Sequence, residues 1–230
     1  MTKHLLRDLE HLKKQLLTVG AMVEEAIQKA TGALLDRRPE LVEQTMRGER
    51  QIDEREVAVE EECLKLLALH QPVASDLRFI VTVLKANNDL ERMGDLAEAI
   101  AERAAFHTSH DPIRLPPAFR KMVENVRTMV REALDSLVNV DADLARKVLR
   151  DDSEVDATNR QMFAEMQELM MRDPQSVPRA LHSLSASRAL ERISDHATNI
   201  AEDVLFMVEG EIMRHRKDRG LGQKTDPRQR

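Results

Sequence analysis

The sequence predicts an all-α protein, a tandem repeat of two three-helix bundles with six long helices in all. Three observations predict this class. Charged residues make up 33% of the 230, with only 7 Gly and 8 Pro, a composition that favours helices. Apolar residues recur at helical spacing along most of the chain. The segment LERMGDLAEAIAE at 90–102 returns as LERISDHATNIAE at 190–202, as expected of a duplicated unit.

The first repeat is expected over residues 1–106. Helix one is predicted over about 3–35, because one apolar stripe runs along it, and Pro39 lies just beyond its end. The stripe consists of Leu5, Leu9, Leu12, Leu16, Val19, Val23 and Ile27. Helix two is predicted over about 40–69 and helix three over about 76–106, separated by a turn with the sequence HQPVAS.

A linker with three prolines, residues 107–117, is expected to separate this repeat from a second one over 118–213. Its helices are predicted over about 118–138, 142–171 and 177–215. Hydroxyl and carboxylate side chains stand at three predicted helix starts, so Ser75, Asp141 and Ser176 are expected to act as N-caps.

The duplication extends beyond the LER segments. MVEEA at 22–26 matches MVREA at 129–133, and residues 51–54 match 154–157. Eight of fourteen positions are identical between 89–102 and 189–202. The offset between the copies changes only where loops are predicted, so each half is expected to be one antiparallel bundle packed on the other.

Charge is distributed unevenly along the chain, whose formal net charge is −6. Residues 214–230 contain seven Lys or Arg and two Asp, and the rest of the chain contains 28 basic and 39 acidic residues. An acidic body repels phosphate backbones, and five Phe without Trp or Tyr supply few stacking platforms. We therefore expect no nucleic-acid partner, and a solvated, disordered basic tail over 214–230.

The lone cysteine and the hydropathy pattern indicate a cytoplasmic protein. Cys63 excludes an intrachain disulfide and fits a reducing compartment. The N-terminus alternates charged residues with leucine and lacks the apolar core of a signal peptide. No run of 18 apolar residues is present, so any association with a membrane is expected to be indirect, through partners.

Four acidic pairs of the form E/D-x-x-x-D occupy equivalent places in the two repeats. They are Glu49 with Asp53, Glu91 with Asp95, Asp152 with Asp156, and Glu191 with Asp195. Carboxylates four apart on a helix repel each other. If the second and third helices of each repeat pack antiparallel, two pairs face each other and present four carboxylates to a cation. Hard oxygen ligands suit Mg²⁺, Mn²⁺, Ca²⁺ or iron.

Three observations qualify this metal hypothesis. Arg92 and Arg192 each follow the Glu of a pair directly and precede its Asp by three residues, so salt bridges are an alternative source of neutralisation. His196 lies about 100° around the helix from Asp195 and is expected to be a partly exposed histidine rather than a ligand. The chain has no Glu-x-x-His, which argues against a ferritin-like oxidase.

The segment at 71–102, QPVASDLRFIVTVLKANNDLERMGDLAEAIAE, together with its echo ALERISDHATNIAE at 189–202, closely resembles the PhoU family of phosphate-transport regulators. The resemblance runs from about residue 5 to 212. It implies a tandem of three-helix bundles whose acidic pairs hold iron or other metal ions, carried here by the eight residues named above. The shorter Asp152 stands where the first half has Glu49, a departure that bears on the metal affinity of the second site.

The resemblance further implies a non-catalytic cytoplasmic accessory protein that restrains the phosphate-starvation response and limits phosphate uptake. Its implied partners are the ATPase subunit of the phosphate ABC transporter, a membrane sensor histidine kinase and a second copy of the chain in a homodimer. Two other readings stay open from the residues: a helical adaptor without metal, and a carboxylate metal-dependent hydrolase. No phosphate-binding loop or nucleophile motif supports the latter.

Overall fold

The computed structural model describes residues 3–209, and all the regular structure in this range is helical. Six long helices are joined by short connections, with one 3₁₀ turn at Pro174–Ser176. The helices are α1 Lys3–Leu35, α2 Pro39–His70, α3 Ala74–Thr108, α4 Pro117–Asn139, α5 Ala142–Arg172 and α6 Val177–Glu209. The prediction of an all-α chain with six long helices is therefore confirmed.

The helices pack as two bundles that share one hydrophobic core. Helices α1, α2 and α3 contact one another, as do α4, α5 and α6. The most extensive contact of all joins α3 to α6, so the third helix of each repeat lies at the centre of the molecule. These two helices run antiparallel, because Lys85 pairs with Asp203 while Asp89 contacts His196 and Asn199.

The predicted apolar stripe of α1 forms the centre of the first bundle. Leu12, Leu16 and Val19 are fully buried, as are Val23 and Ile27 further along the stripe. A contact between α1 and α4 also joins the two bundles directly. It depends on Gly20, where an added Cβ would lie 2.2 Å from Leu134 Cδ1. A side chain at position 20 would therefore require the end of the Leu134 side chain to move.

The structure confirms one of the three N-caps predicted from the sequence. Asp141 is an N-cap, since its Oδ1 accepts hydrogen bonds of 3.0 Å from the backbone N–H groups of Asp143 and Leu144. The N-cap prediction for Ser75 is wrong, because α3 begins at Ala74 after an extended Val73 that has no side-chain cap.

The N-cap prediction for Ser176 is also wrong, because this residue lies within the 3₁₀ turn that precedes α6. Asp173 caps that turn by accepting from the N–H of Gln175, and Ser176 Oγ donates to Asp173 O at 2.6 Å. The segment between α3 and α4 spans 109–116. The predicted end of the last helix at 215 and the basic tail at 214–230 lie outside the described residues. None of the helices within 3–209 has the length and apolarity needed to cross a membrane.

Candidate functional site

The seam between α2 and α3 brings the acidic pairs of the first repeat together. Ile52 is buried on α2 and packs against Gly94 of α3, where an added Cβ would lie 3.3 Å from Ile52 Cδ1. The two helices therefore approach closely at the glycine of the LERMGD segment. Asp53 follows Ile52 and Asp95 follows Gly94, so this contact sets the two carboxylates beside the same seam.

Eight carboxylates line this seam, and we call them the first acidic face. They are Glu49, Asp53, Glu56 and Glu60 of α2, and Glu91, Asp95, Glu98 and Glu102 of α3. The two predicted pairs form its centre. Glu56 and Glu60 were missed by sequence reasoning, although they continue the α2 face at helical spacing after Asp53.

The carboxylates of this face perturb one another across the seam. Partial burial raises the pKa of Glu49 to about 7, and Asp53 contributes next, by its charge and by a side-chain hydrogen bond. The charges of Glu98 and Asp95 on α3 raise it further. Burial likewise raises the pKa of Glu91, where Asp95 and Asp53 add to the effect. Residues of two helices thus form one electrostatic unit that favours a bound proton or cation.

Arg92 neutralises part of this face. Its Nε lies 3.3 Å from Glu91 Oε2, and its Nη1 lies 3.3 Å from Asp95 Oδ2. The sequence left open that an arginine neutralises the acidic pair through salt bridges. Arg92 has this geometry with Glu91 and Asp95. The compensation is partial, because the pKa of Glu91 remains raised although the charge of Arg92 lowers it. Pairs this exposed contribute little to stability.

The second acidic face lies between α5 and α6 and consists of Asp152, Asp156, Glu191 and Asp195. Burial raises the pKa of Glu191, and the charges of the other three raise it further. All four predicted carboxylates of this repeat are therefore neighbours. The charge of Arg188 lowers the pKa of Glu191.

The two faces differ in charge because, of the four further acidic positions of the first face, only Glu102 has an acidic equivalent in the second repeat, Glu202. At the repeat offsets, Asn159 replaces Glu56, Phe163 replaces Glu60 and Thr198 replaces Glu98. The Asn159 side chain accepts a hydrogen bond from Ser187 Oγ at 2.8 Å, and Phe163 is 61% exposed. The first face therefore carries the larger negative potential and is the stronger candidate for a cation.

The chemistry of the first face fits a hard cation, although its side chains are not gathered around one point. Glu91 Oε2 is buried and accepts no hydrogen bond, although Arg92 Nε lies 3.3 Å from it. Partial burial, followed by the neighbouring carboxylates, raises the pKa of Glu49 to about 7. Within residues 3–209, no three His, Cys, Asp or Glu side chains are arranged to hold a metal ion. A cation at this face would displace the proton shared by Glu49 and draw the carboxylates inward.

A polar contact between the repeats adjoins the first face. His196 Nδ1 lies 2.7 Å from Asp89 Oδ1, and Asn199 Nδ2 donates to the same oxygen at 3.2 Å. His196 also lowers the pKa of Glu91, which places this second-repeat residue near the first acidic face. Sequence reasoning expected a partly exposed His196. Its contact with Asp89 joins residues 107 positions apart, and no local pattern indicates it.

Comparisons with known proteins match both repeats to one family. The model of the PhoU domain matches residues 16–104 and again 119–204. These ranges correspond to the bodies of the two bundles, including both acidic faces.

Curated relatives match along nearly their whole length. A protein of Aquifex aeolicus named phosphate-specific transport system accessory protein PhoU homolog is 40% identical over 218 residues, which cover 94% of this chain and 99% of the relative. A homolog of the same name from Pseudomonas putida is 40% identical, with 90% and 82% of the two chains covered. The Escherichia coli accessory protein PhoU is 31% identical, with 90% and 86% covered.

Solved structures have the same arrangement of helices. The crystal structure of PhoU from Pseudomonas aeruginosa superposes with a TM-score of 0.85 at 39% identity, covering 89% of this chain and 99% of that chain. The phosphate transport system regulatory protein PhoU from Streptococcus pneumoniae has a TM-score of 0.84 at 27% identity, with 90% and 98% covered.

Proposed function

Because this chain belongs to the PhoU family, we propose that it is an accessory protein of a phosphate-specific transport system and restrains the phosphate-starvation response when phosphate is plentiful. The observation that carries the proposal is the match of both PhoU domains together with near-complete coverage of relatives that bear this name. A full-length match makes the role of the whole relative the natural candidate for this chain.

We further propose that the acidic faces bind divalent or trivalent metal ions, with iron, Mn²⁺, Mg²⁺ and Ca²⁺ as candidates. The eight ligands in this proposal are Glu49, Asp53, Glu91, Asp95, Asp152, Asp156, Glu191 and Asp195. The pKa values of Glu49, Glu91 and Glu191 are raised first by partial burial and then by neighbouring carboxylates, and they support the proposal because a bound cation would offset that repulsion. The charge difference between the faces supports tighter binding at the first.

In this proposal the protein acts as a cytoplasmic adaptor. Its partners are the ATPase subunit of the phosphate ABC transporter and a membrane sensor histidine kinase, and it pairs with a second copy of itself. Six long packed helices support such a role, because they present rigid faces for protein partners. Cation binding at a face that also contacts a partner would couple the two events energetically. The proposal contains no catalytic step.

A metal-free adaptor is the second candidate, and the ion pairs of Arg92 favour it. These pairs supply positive charge to Glu91 and Asp95 from within the chain. The two candidates differ in what Arg92→Gln does to metal binding. If the face is a cation site, removing its internal counter-charge strengthens Mn²⁺ binding. If arginine is the functional counterion, the variant gains no metal and loses regulation.

The regulatory role is tested with a phosphate-starvation reporter in phosphate-replete cells that lack this protein. We expect high reporter output in these cells, and low output when the wild-type gene is restored. Unchanged output in the deletion strain would contradict the regulatory role.

The role of the first acidic face is tested in the same strain. Glu49→Gln combined with Glu91→Gln is expected to leave output high, because the variant removes two central carboxylates. The matched control removes two carboxylates of α5, the half-buried Glu165 and the exposed Glu168, as Glu165→Gln with Glu168→Gln, and is expected to restore low output. Both variants are compared at equal protein level, and full function of the first would favour the metal-free adaptor.

A further inference from the structure

A cavity of about 200 Å³ lies where the two repeats are joined, at the ends of α1 and α3 and the start of α4. We call it the linker cavity. Its polar lining consists of Arg37, His107 and Arg120, which are set among leucine, isoleucine and proline side chains. No carboxylate from residues 3–209 lines it. Two guanidinium groups without a lining carboxylate favour an anionic ligand.

Neither arginine of the linker cavity is held by a strong ion pair. Arg37 Nη2 donates to the backbone oxygens of His110 at 2.7 Å and of Thr108 at 3.4 Å, and Arg37 forms no ion pair with a described carboxylate. Arg120 Nη2 lies 3.1 Å from Asp36 Oδ1, but both of these side chains are more than half exposed. Exposed pairs of this kind contribute little to stability. Both guanidinium groups can therefore serve an anion.

His107 has one ring nitrogen that the protein itself does not use. The residue is 3% exposed, and its Nε2 lies 3.2 Å from Ser183 Oγ of α6. Because Ser183 Oγ donates its proton to Arg179 O at 3.0 Å, it accepts the proton of His107 Nε2. No residue of the described chain bonds to Nδ1. His107 lines the cavity and Ser183 does not, so Nδ1 is the ring nitrogen left for a ligand.

The surroundings of His107 keep its imidazole neutral. Burial, followed by the charges of His182, Arg37, Arg179 and His110, lowers its pKa to about 4. At neutral pH its Nδ1 therefore accepts a hydrogen bond and does not donate one. A fitting ligand must offer charged oxygens to the arginines and a hydroxyl proton to His107. Phosphate meets both requirements, because it keeps at least one proton at neutral pH, whereas sulfate keeps none.

Ring stacking orders the linker beside the cavity. Phe106 is stacked between two histidine rings, with centroid distances of 3.9 Å to His110 and 3.8 Å to His182 of α6. His110 Nδ1 also lies 2.8 Å from Phe106 O. These contacts hold the His110 backbone oxygen that accepts from Arg37. Arg37 is thus oriented before a ligand binds, which lowers the entropic cost of binding.

We propose that the linker cavity binds inorganic phosphate. Arg37 and Arg120 donate to its charged oxygens, and its P–OH group donates to His107 Nδ1. Arg37 and His107 belong to the first repeat and Arg120 to the second, so the bound anion bridges the repeats. Its occupancy is therefore coupled to the way the repeats are joined. This site is separate from both acidic faces, and it adds a ligand that the proposed function does not require.

Titration calorimetry on the full-length protein, in a buffer that contains a metal chelator, tests the proposal. The chelator prevents phosphate from binding through a metal ion at an acidic face. We expect phosphate to bind, and sulfate to bind about tenfold or more weakly, because sulfate leaves the buried His107 Nδ1 without a donor. Absence of phosphate binding, or equal affinity for the two anions, would overturn the proposal.

Arginine variants assign the binding to the cavity. Arg37→Gln and Arg120→Gln are each expected to weaken phosphate binding by about 10- to 100-fold, because each removes a charge-assisted hydrogen bond. The matched control is Arg7→Gln, an exposed arginine of α1 that lies about 40 Å from Leu35 of the cavity at the helical rise. Since Arg37 also orders the linker, the exposed Arg120 supplies the decisive variant. Unchanged binding in Arg120→Gln would contradict the assignment.

Nitrogen NMR of the histidine side chains observes the contact in the unmodified protein. Phosphate is expected to shift the Nδ1 resonance of His107 while Nε2 keeps its proton, and sulfate is expected to leave both resonances in place. The variant His107→Gln identifies these resonances among the eight histidines by their absence. A His107 Nδ1 resonance that phosphate does not move would also overturn the proposal.

The outcome of these measurements is separable from that of the regulatory test. Binding is measured on purified protein without metal, partner or reporter. Failure of phosphate to bind therefore leaves the proposed regulatory role intact, and an unchanged reporter in the deletion strain leaves the binding measurement valid.

Discussion

Glu49 and Asp53 lie one turn apart on the same face of α2, although both side chains are carboxyl groups that repel each other when ionised. A hydrogen bond between the two requires a proton on one of them. Partial burial, the charge of Asp53 and carboxylates of α3 together raise the pKa of Glu49 to about 7. Near pH 7 the Glu49 carboxyl is therefore protonated in part of the molecules, in the place where a cation is proposed to bind.

Cation binding at this face is expected to release a proton and to strengthen with pH. Below pH 7 a metal ion must displace the proton of Glu49, so affinity falls by up to about tenfold per pH unit. Above pH 7 the dependence flattens. Titration calorimetry with Mn²⁺ in buffers of different ionisation enthalpy measures the protons released. The variant Glu49→Gln is expected to release fewer, and equal release by both proteins would contradict the role of Glu49.

The same carboxyl makes stability depend on pH in a defined direction. The pKa of Glu49 is about 7 in the folded protein and near 4.5 in its model state, so the folded chain binds the extra proton between these values. Stability is therefore expected to fall as the pH rises from about 4.5 to 7. Denaturant unfolding at several pH values measures this slope.

Glu49→Gln is expected to flatten that slope, because glutamine does not titrate and keeps a donor for Asp53. The control is Glu168→Gln on α5, an exposed carboxylate that belongs to neither acidic face. A slope that is unchanged in Glu49→Gln, or equally flattened in the control, would show that other groups set the pH dependence.

The close contact of Ile52 with Gly94 is expected to be sensitive to side-chain size. Gly94→Leu overfills the seam between α2 and α3, and we expect it to lower the free energy of unfolding by about 1–3 kcal/mol. The second repeat has Val155 and Ser194 at the equivalent positions. Gly94→Ser is therefore expected to be better tolerated when combined with Ile52→Val. A double-mutant cycle measures the coupling, expected at about 0.5–1 kcal/mol, and strictly additive effects would contradict it.

The contact of His196 with Asp89 is expected to contribute to the docking of the repeats. In His196→Ala the nearly buried Asp89 carboxylate loses its closest donor, at an expected cost of about 1–3 kcal/mol in unfolding free energy. The exposed His11 supplies a matched control, since His11→Ala is expected to change stability by less than about 0.5 kcal/mol. Chemical denaturation measures the free energy of unfolding of both variants, and equal changes would contradict a structural role for His196.

Helix termini show where local patterns sufficed and where they failed. Asp141 was correctly predicted as an N-cap, because its carboxylate bonds to N–H groups two and three residues later. Ser75 also has a side chain that could cap a predicted helix start. It lies inside α3, however, because this helix begins one residue earlier, after an extended Val73. The N-cap prediction for Ser176 is wrong because this residue lies within a 3₁₀ turn that Asp173 caps. Where several polar residues lie close together, the path of the chain between packed helices determines which of them becomes the N-cap.

The sequence by itself determined the six helices, the duplication and the position of each acidic pair, because helical periodicity and spacing of four residues act within one segment. Tertiary structure decided which carboxylates meet and how strongly each is perturbed. It brought Glu56 of α2 and Glu98 of α3 to the same acidic face, placed Arg188 near Glu191, and joined His196 to Asp89. These contacts depend on how closely two helices that are far apart in the sequence approach each other, as α2 and α3 do where Ile52 meets Gly94. Packing of this kind produces no periodic pattern in the sequence.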